Sequence, residues 1–314
     1  MRWIGATLLS LSAAALACAA PQGPGTTPTA PVTAAPQAPR PQAPPSGDPF
    51  APPDRSRAPW SQTPVRLLGI GEVETGVTAG GASWRIGTAR GTVWVWRPAG
   101  YRARDAGACL YLHGYFTTVD QAVADHRLAD QFAASGRNAL FVVAEAPAWN
   151  GEEGVWPDLD ELLGEVFRRT GLAPPRGPLV VVGHSGAFRP ILSWLGHPRL
   201  EEILLLDGLY RGEAQFRGWL LGNGNGNGKG HGGARPHRLV LVSAETLPAA
   251  EALAASVPGT LSLPEVPPPG ADLDSPARSA RFVHLKSQHA HMEIVESGEV
   301  LPVLLRASHL PPLQ

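Results

Sequence analysis

Hydrophobic and polar positions follow two periods along this chain, and the switches between them predict its elements. Residues 65–98 are rich in Gly, Thr, Val and Trp, and Val93 and Val95 alternate with Trp94 and Trp96 between glycine-rich turns. A period of two bounded by such turns predicts antiparallel strands at one edge of a sheet. Short unbroken apolar runs then predict buried strands at 109–112, 139–144, 179–182, 203–206, 239–242 and 282–285. Between them, helical segments are predicted at 119–135, 159–169, 187–195, 213–221, 248–255 and 300–308. The punctuation agrees. Thr118-Val119-Asp120-Gln121 reads as a capping box, Gly136 and Gly171 close their helices, and Pro190 falls in a first turn where its missing N–H is harmless. Residues 261–278 are Pro-rich and predict loop.

Strands alternating with helices predict the α/β class: a mostly parallel sheet, antiparallel N-terminal edge strands, and helices on both faces. Ligands of such sheets bind beyond the carboxyl ends of the strands. His113, Ser185, Asp207 and Glu245 each follow a predicted strand and are expected at that rim.

The start of the chain departs from this pattern. Met1-Arg2 is positive, and the small, apolar stretch after it is too short to span a bilayer, so residues 1–17 read as a secretory signal. Ala15-Leu16-Ala17-Cys18 resembles the lipobox of bacterial lipoproteins, with Ala15 where leucine is more usual. That resemblance implies lipidation of Cys18 and, with Ala19 next, outer-membrane sorting. Residues 18–63 are dominated by Pro, Ala and Thr and cannot bury a core. They read as a disordered tether, with membrane contact only through the lipid on Cys18. The folded domain is expected over 64–314, with a flexible Gly/Asn loop at 222–233. The expected place is the cell envelope, facing the periplasm or the surface.

The formal charge of -1, with both signs interspersed, argues against a nucleic-acid partner. Of the two cysteines, Cys109 lies in an apolar strand and reads as a small buried hydrophobe, so no disulfide framework exists.

The chemistry concentrates at Gly183-His184-Ser185-Gly186-Ala187. A buried strand, a tight turn of small residues and then a helix lift a serine hydroxyl out of a sheet. Ala187 stands where the motif usually has glycine. A serine hydroxyl needs a base, the base needs an orienting carboxylate, and the developing oxyanion needs donors. His291 and His289, between the last strand and last helix, are candidates for the base. His291 is the first choice because it lies deeper in the turn. Asp207, directly after a buried run, is the first choice for the acid, with Glu245 as the alternative. The histidines lack the spacing that fixes a metal on one element, so no metal is expected. Trp149, Trp156 and Tyr115 read as either rim aromatics or a roof on the core. Arg189 reads as a ligand for a substrate carboxylate or a surface residue, and Glu152-Glu153 as a solvated turn.

From about Trp94 to Arg306 this order of elements resembles the α/β-hydrolase superfamily, in arrangement rather than close identity. The resemblance implies that His113-Gly114-Tyr115 shapes an oxyanion hole, with Gly114, Tyr115 and Gly186 around it. It implies the order nucleophile, acid, base, here Ser185, Asp207 or Glu245, then His291 or His289. It implies no cofactor. The expected activity is that of a serine hydrolase cleaving an ester or amide in a small-molecule or cell-envelope substrate. The alternative is a non-catalytic envelope lipoprotein that retains the fold.

Overall fold

The computed structural model describes residues 66–222 and 236–314. The expected signal at 1–17, Cys18, the tether at 18–63 and the loop at 223–233 lie outside the described residues.

Among the described residues ten strands form one sheet: β1 (Val73–Thr78), β2 (Gly81–Thr88), β3 (Gly91–Arg97), β4 (Gly107–Leu112), β5 (Ala139–Ala144), β6 (Leu179–His184), β7 (Leu200–Leu206), β8 (Arg238–Ser243), β9 (Leu261–Leu263) and β10 (Phe282–Lys286). Their order is β1-β2-β3-β5-β4-β6-β7-β8-β10-β9. The first three strands pair antiparallel with one another and with β5. From β5 to β9 every pairing is parallel. Ala79 and Gly80 join β1 to β2 at φ 47° and 74°. Two positive values suit the primed turns that match strand twist.

Side-chain alternation splits the core into two layers. Val93, Val95, Leu110, Leu112, Val181 and Leu205 face one side with α3 (Leu159–Thr170), α4 (Phe188–Trp194), α5 (Glu213–Leu221) and α6 (Leu247–Ser256). Trp94, Trp96, Tyr111, Val182 and Leu206 face the other with α1 (Val119–Asp125), α2 (Leu128–Ser135), α8 (Glu293–Glu296) and α9 (Val300–Ala307). Both faces are covered, so the central parallel strands read as unbroken apolar runs. Each fully buried Leu or Val contributes about 1.5–3 kcal/mol. In α9 every residue but Arg306 is buried.

Two expectations need correction. The helix predicted over 119–135 is two helices, broken at Arg127, whose φ is 47°. At the break His126 is buried, and its Nδ1 lies 3.0 Å from the Tyr111 hydroxyl. The predicted loop at 261–278 contains β9 and α7 (Ser275–Ser279). Three residues with one sheet neighbour give no readable period, and Pro276 sits in the first turn of α7, where proline is tolerated.

Near the amino ends of the parallel strands lies a buried ion pair, Glu202 of β7 with Arg238 of β8. Arg238 also donates to the carbonyls of Ala277, Ala280 and Ala307. Glu202 Oε2 accepts the His309 N–H at 2.7 Å. The pair thus ties the ends of α7 and α9 to the sheet.

Candidate active site

β6 ends at His184, and Ser185 follows at φ 53°, a left-handed conformation that costs a non-glycine residue. A single 3-10 turn, Ser185–Ala187, then feeds α4. The small residues around it are needed for space. A Cβ on Gly183 would overlap Ile191 of α4, and one on Gly186 would overlap the Tyr115 ring. A Cβ on Gly114 would stand 2.9 Å from Ser185 Cβ, and one on Gly208 2.9 Å from the Ser185 carbonyl oxygen. Turns after β4 and β7 therefore close on the serine from two sides. Ala187 is fully buried in the place where the motif usually has glycine.

β7 delivers Asp207, buried and at φ 43°. Its Oδ1 accepts from Ala244 N, Thr246 N and Thr246 Oγ1 at 2.9, 2.9 and 2.8 Å. Its Oδ2 accepts from Glu245 N at 3.0 Å and meets His291 Nδ1 at 2.7 Å. Burial alone would push this carboxyl's pKa up. The donors, His291 first and then Thr246 and Ala244, overcome that and hold it far below the usual carboxylate range. Asp207 is therefore ionised and can only accept. It follows that His291 Nδ1 carries a hydrogen, which in the neutral ring leaves the lone pair on Nε2, a tautomer assigned from the network.

The loop bearing His291 is braced from below. His184 Nε2 donates to the His291 carbonyl oxygen at 3.2 Å, and the two rings lie 4.7 Å apart at 35°. Burial, then the neighbouring His291 and His126, push the His184 pKa well down, so it is neutral. Within the loop, Ser287 Oγ receives the His289 N–H, and Glu293 receives the Ala290 N–H.

His291, rather than His289, meets Asp207. His289 faces Glu299, with Nε2 3.4 Å from its carboxylate. Glu245 comes close without bonding: its Oε2 lies 4.0 Å from His291 Nδ1 and accepts the Tyr210 hydroxyl at 2.9 Å. Tyr210 was not anticipated. Its ring lies 6.3 Å from that of His291. The one signal in the sequence is an aromatic three residues past a strand-end aspartate. That signal places nothing until the left-handed turn at Asp207 is known.

Across the serine, His113 is buried after β4, its Nδ1 donating to the Gly114 carbonyl at 2.8 Å. Its Nε2 accepts the Ala146 N–H and lies 3.0 Å from Glu145. These contacts fix the turn that brings Gly114 and Tyr115 beside Ser185. Gly186 is the second residue of the 3-10 turn Ser185–Ala187, in the first turn where an N–H has no intrahelical acceptor.

Several peripheral expectations change. The Arg189 guanidinium is occupied by the carbonyls of Trp149, Asn150 and Glu152 and by the Tyr115 hydroxyl, which leaves it poorly placed for a substrate carboxylate. Trp156 is a core residue, and its carbonyl receives the Trp194 indole N–H at 2.8 Å. Trp149 stays at the surface, 39% exposed. Glu152 is half-buried and accepts the Ala148 N–H, so only Glu153 fits the solvated turn. Asp207, Glu245 and His291 offer ligand atoms within 4.8 Å of one another. Those atoms are already engaged: Asp207 by its donors, His291 Nδ1 by Asp207, and Glu245 by Tyr210.

No protein-family model and no curated protein matches the chain. Among solved structures it is similar to a feruloyl esterase module from Clostridium thermocellum, a serine-to-alanine mutant complexed with sinapinate. The TM-score is 0.50 at 11% identity, covering 76% of this chain and 96% of that one. It is also similar to an S-formylglutathione hydrolase from Agrobacterium tumefaciens, with TM-score 0.46, 11% identity, and 76% and 99% of the two chains covered. At these identities the likeness speaks to the fold alone, and with the sheet order above the chain has an α/β-hydrolase fold.

Proposed function

We propose that this chain is an exported serine hydrolase that cleaves an ester or amide bond through an acyl-enzyme. Ser185 attacks the carbonyl carbon, and His291 Nε2 takes its proton. The Asp207 carboxylate holds Nδ1–H and supports the imidazolium. The backbone N–H groups of Gly186 and Tyr115 receive the charge that develops on the carbonyl oxygen, with Gly114 keeping that turn close. His291 returns the proton to the leaving group. Water then attacks the acyl carbon with His291 as base, which releases the acid and restores Ser185.

One observation carries this reading. A buried, ionised Asp207 meets His291 Nδ1 at 2.7 Å, at the rim where Ser185 is held at φ 53°. A purely structural Asx turn would explain the backbone N–H groups on Asp207. It would not explain an imidazole reaching the same carboxylate from residue 291.

The test is covalent. A fluorophosphonate probe is expected to label the folded protein at Ser185, and the Ser185→Ala variant is expected to remain folded and unlabelled. An unlabelled native protein, or labelling that survives in the variant, would overturn the proposal. The apolar start of the chain and Cys18 support export and a lipid anchor at the envelope. Cys18→Ser is accordingly expected to move the protein from the membrane fraction to the soluble fraction.

A further inference from the structure

The break between α1 and α2 faces the segment that carries His291. His126 closes α1, and its ring is anchored to β4, with Nδ1 3.0 Å from the Tyr111 hydroxyl. A helix end leaves its last carbonyls without intrahelical donors. Two such ends meet here. One is the end of α1 at His126, and the other is the end of α8, a single turn that begins at Glu293.

Gln131 joins them. Its side chain is buried, and Nε2 donates to the His126 carbonyl at 2.6 Å and to the Val295 carbonyl at 2.7 Å. Both partners are acceptors, so the amide NH2 faces them and both its hydrogens are used. Beside it, Arg127 Nη2 donates to the Ser297 carbonyl at 3.2 Å. A Cβ on Gly298 would stand 2.8 Å from that nitrogen, so the chain after α8 lies against the guanidinium.

Packing alone does not call for these residues. Gln131 Oε1 is buried and meets no donor among the described residues, an orphan that costs about 1–3 kcal/mol. An apolar side chain of similar shape would carry no such orphan. Arg127 holds a left-handed conformation that glycine adopts without strain. What both residues supply is a donor to the carbonyls at 295 and 297. That segment is helical back to Ala290, whose carbonyl receives the Ile294 N–H. His291 lies within it and moves with it.

We propose that the break is a bracket for the base: Gln131 and Arg127 are positioning residues that hold α8 where His291 meets Asp207. The bracket rests on the hydrolase reading of this site. Asp207 fixes the His291 ring, His184 fixes its carbonyl, and the bracket fixes the helix behind it. Both bracket residues act through His291.

The experiment is the rate of fluorophosphonate labelling of the full chain, read by intact mass. Gln131→Met and Arg127→Gly are each made in the native chain and in Asp207→Asn. Methionine fills the volume of the amide and removes both donors. Glycine removes the Ser297 contact and relieves the left-handed residue. In the native background Gln131→Met is expected to label about tenfold more slowly, because a small misplacement of a reacting group costs rate steeply. Arg127→Gly is expected to label about threefold more slowly, the weight of one exposed hydrogen bond. In Asp207→Asn the imidazole has already lost its hold, so neither substitution should slow labelling further. A merely structural role would slow both backgrounds alike. If the native protein labels and folded Gln131→Met labels at the native rate, or slows equally in Asp207→Asn, the bracket falls and the hydrolase reading stands. If the native protein does not label, the hydrolase reading falls and the bracket with it. Should Gln131→Met fail to fold, Arg127→Gly decides by the same comparison.

Discussion

β7 carries a buried carboxylate toward each of its ends, and their partners separate structure from chemistry. Glu202 and Asp207 are both fully inaccessible to solvent, and both accept several donors. Glu202 is paired with Arg238, whose guanidinium does not lose its proton in a protein. Asp207 is paired with His291, whose second ring nitrogen is a base. The backbone differs as well. Glu202 lies within β7, beside a register shift against β6, whereas Asp207 and its neighbour Ser185 are both left-handed, a strain of about 1–3 kcal/mol at each residue. A buried charge with a fixed counter-charge makes a strut. The same burial opposite an imidazole holds a proton carrier in one tautomer.

Breaking the two pairs separately should give opposite readouts. The largest effect is expected from Asp207→Asn. An amide cannot accept all the donors that now converge there, and its NH2 would favour the wrong His291 tautomer. Fluorophosphonate labelling should slow by about 10⁴-fold. Glu202→Gln should instead leave the labelling rate of the folded protein unchanged while stranding the Arg238 charge, at a cost of about 3–5 kcal/mol. Thermal melting would report that loss at about 2–4 °C per kcal/mol for a domain of this size. If Glu202→Gln slowed labelling as much as Asp207→Asn, the distinction between the two ends would disappear.

The smallest effect lies in acid. Asp207's folded pKa is depressed below its unfolded value of about 3.9, so its contribution to stability is fully present above that value. It is lost as the pH falls from there toward the folded value. The native melting temperature should therefore drop below about pH 4, and the drop should be shallower in Asp207→Asn. Melting curves of both proteins between about pH 2 and 5 check this.

The same contrast explains what could be read before any coordinates. Buried strands announce themselves as apolar runs, and the residue after each run must reach the rim. His113, Ser185, Asp207 and Glu245 could be placed there from pattern alone. The elements missed were those without a period: the three residues of β9, the short α7 among prolines, and the break at Arg127. Choosing between His289 and His291 needed the bend of the loop that follows β10. That bend depends on Ser287 and on the His184 contact to a carbonyl 107 positions away. Tyr210 was out of reach for a related reason, because its position depends on the left-handed backbone at Asp207. Arg189 stayed open between a ligand and a surface role, because its carbonyl partners come from the loop at 149–152, which has no periodic pattern to read.

That guanidinium has one more consequence. By gripping the carbonyls of Asn150 and Glu152, Arg189 settles the wall beside Trp149 before anything arrives. An incoming molecule need not freeze that wall, so little conformational entropy is surrendered there on association. On the proposed hydrolase reading, an acyl group that met this wall would be selected by its fit to a ready-made surface.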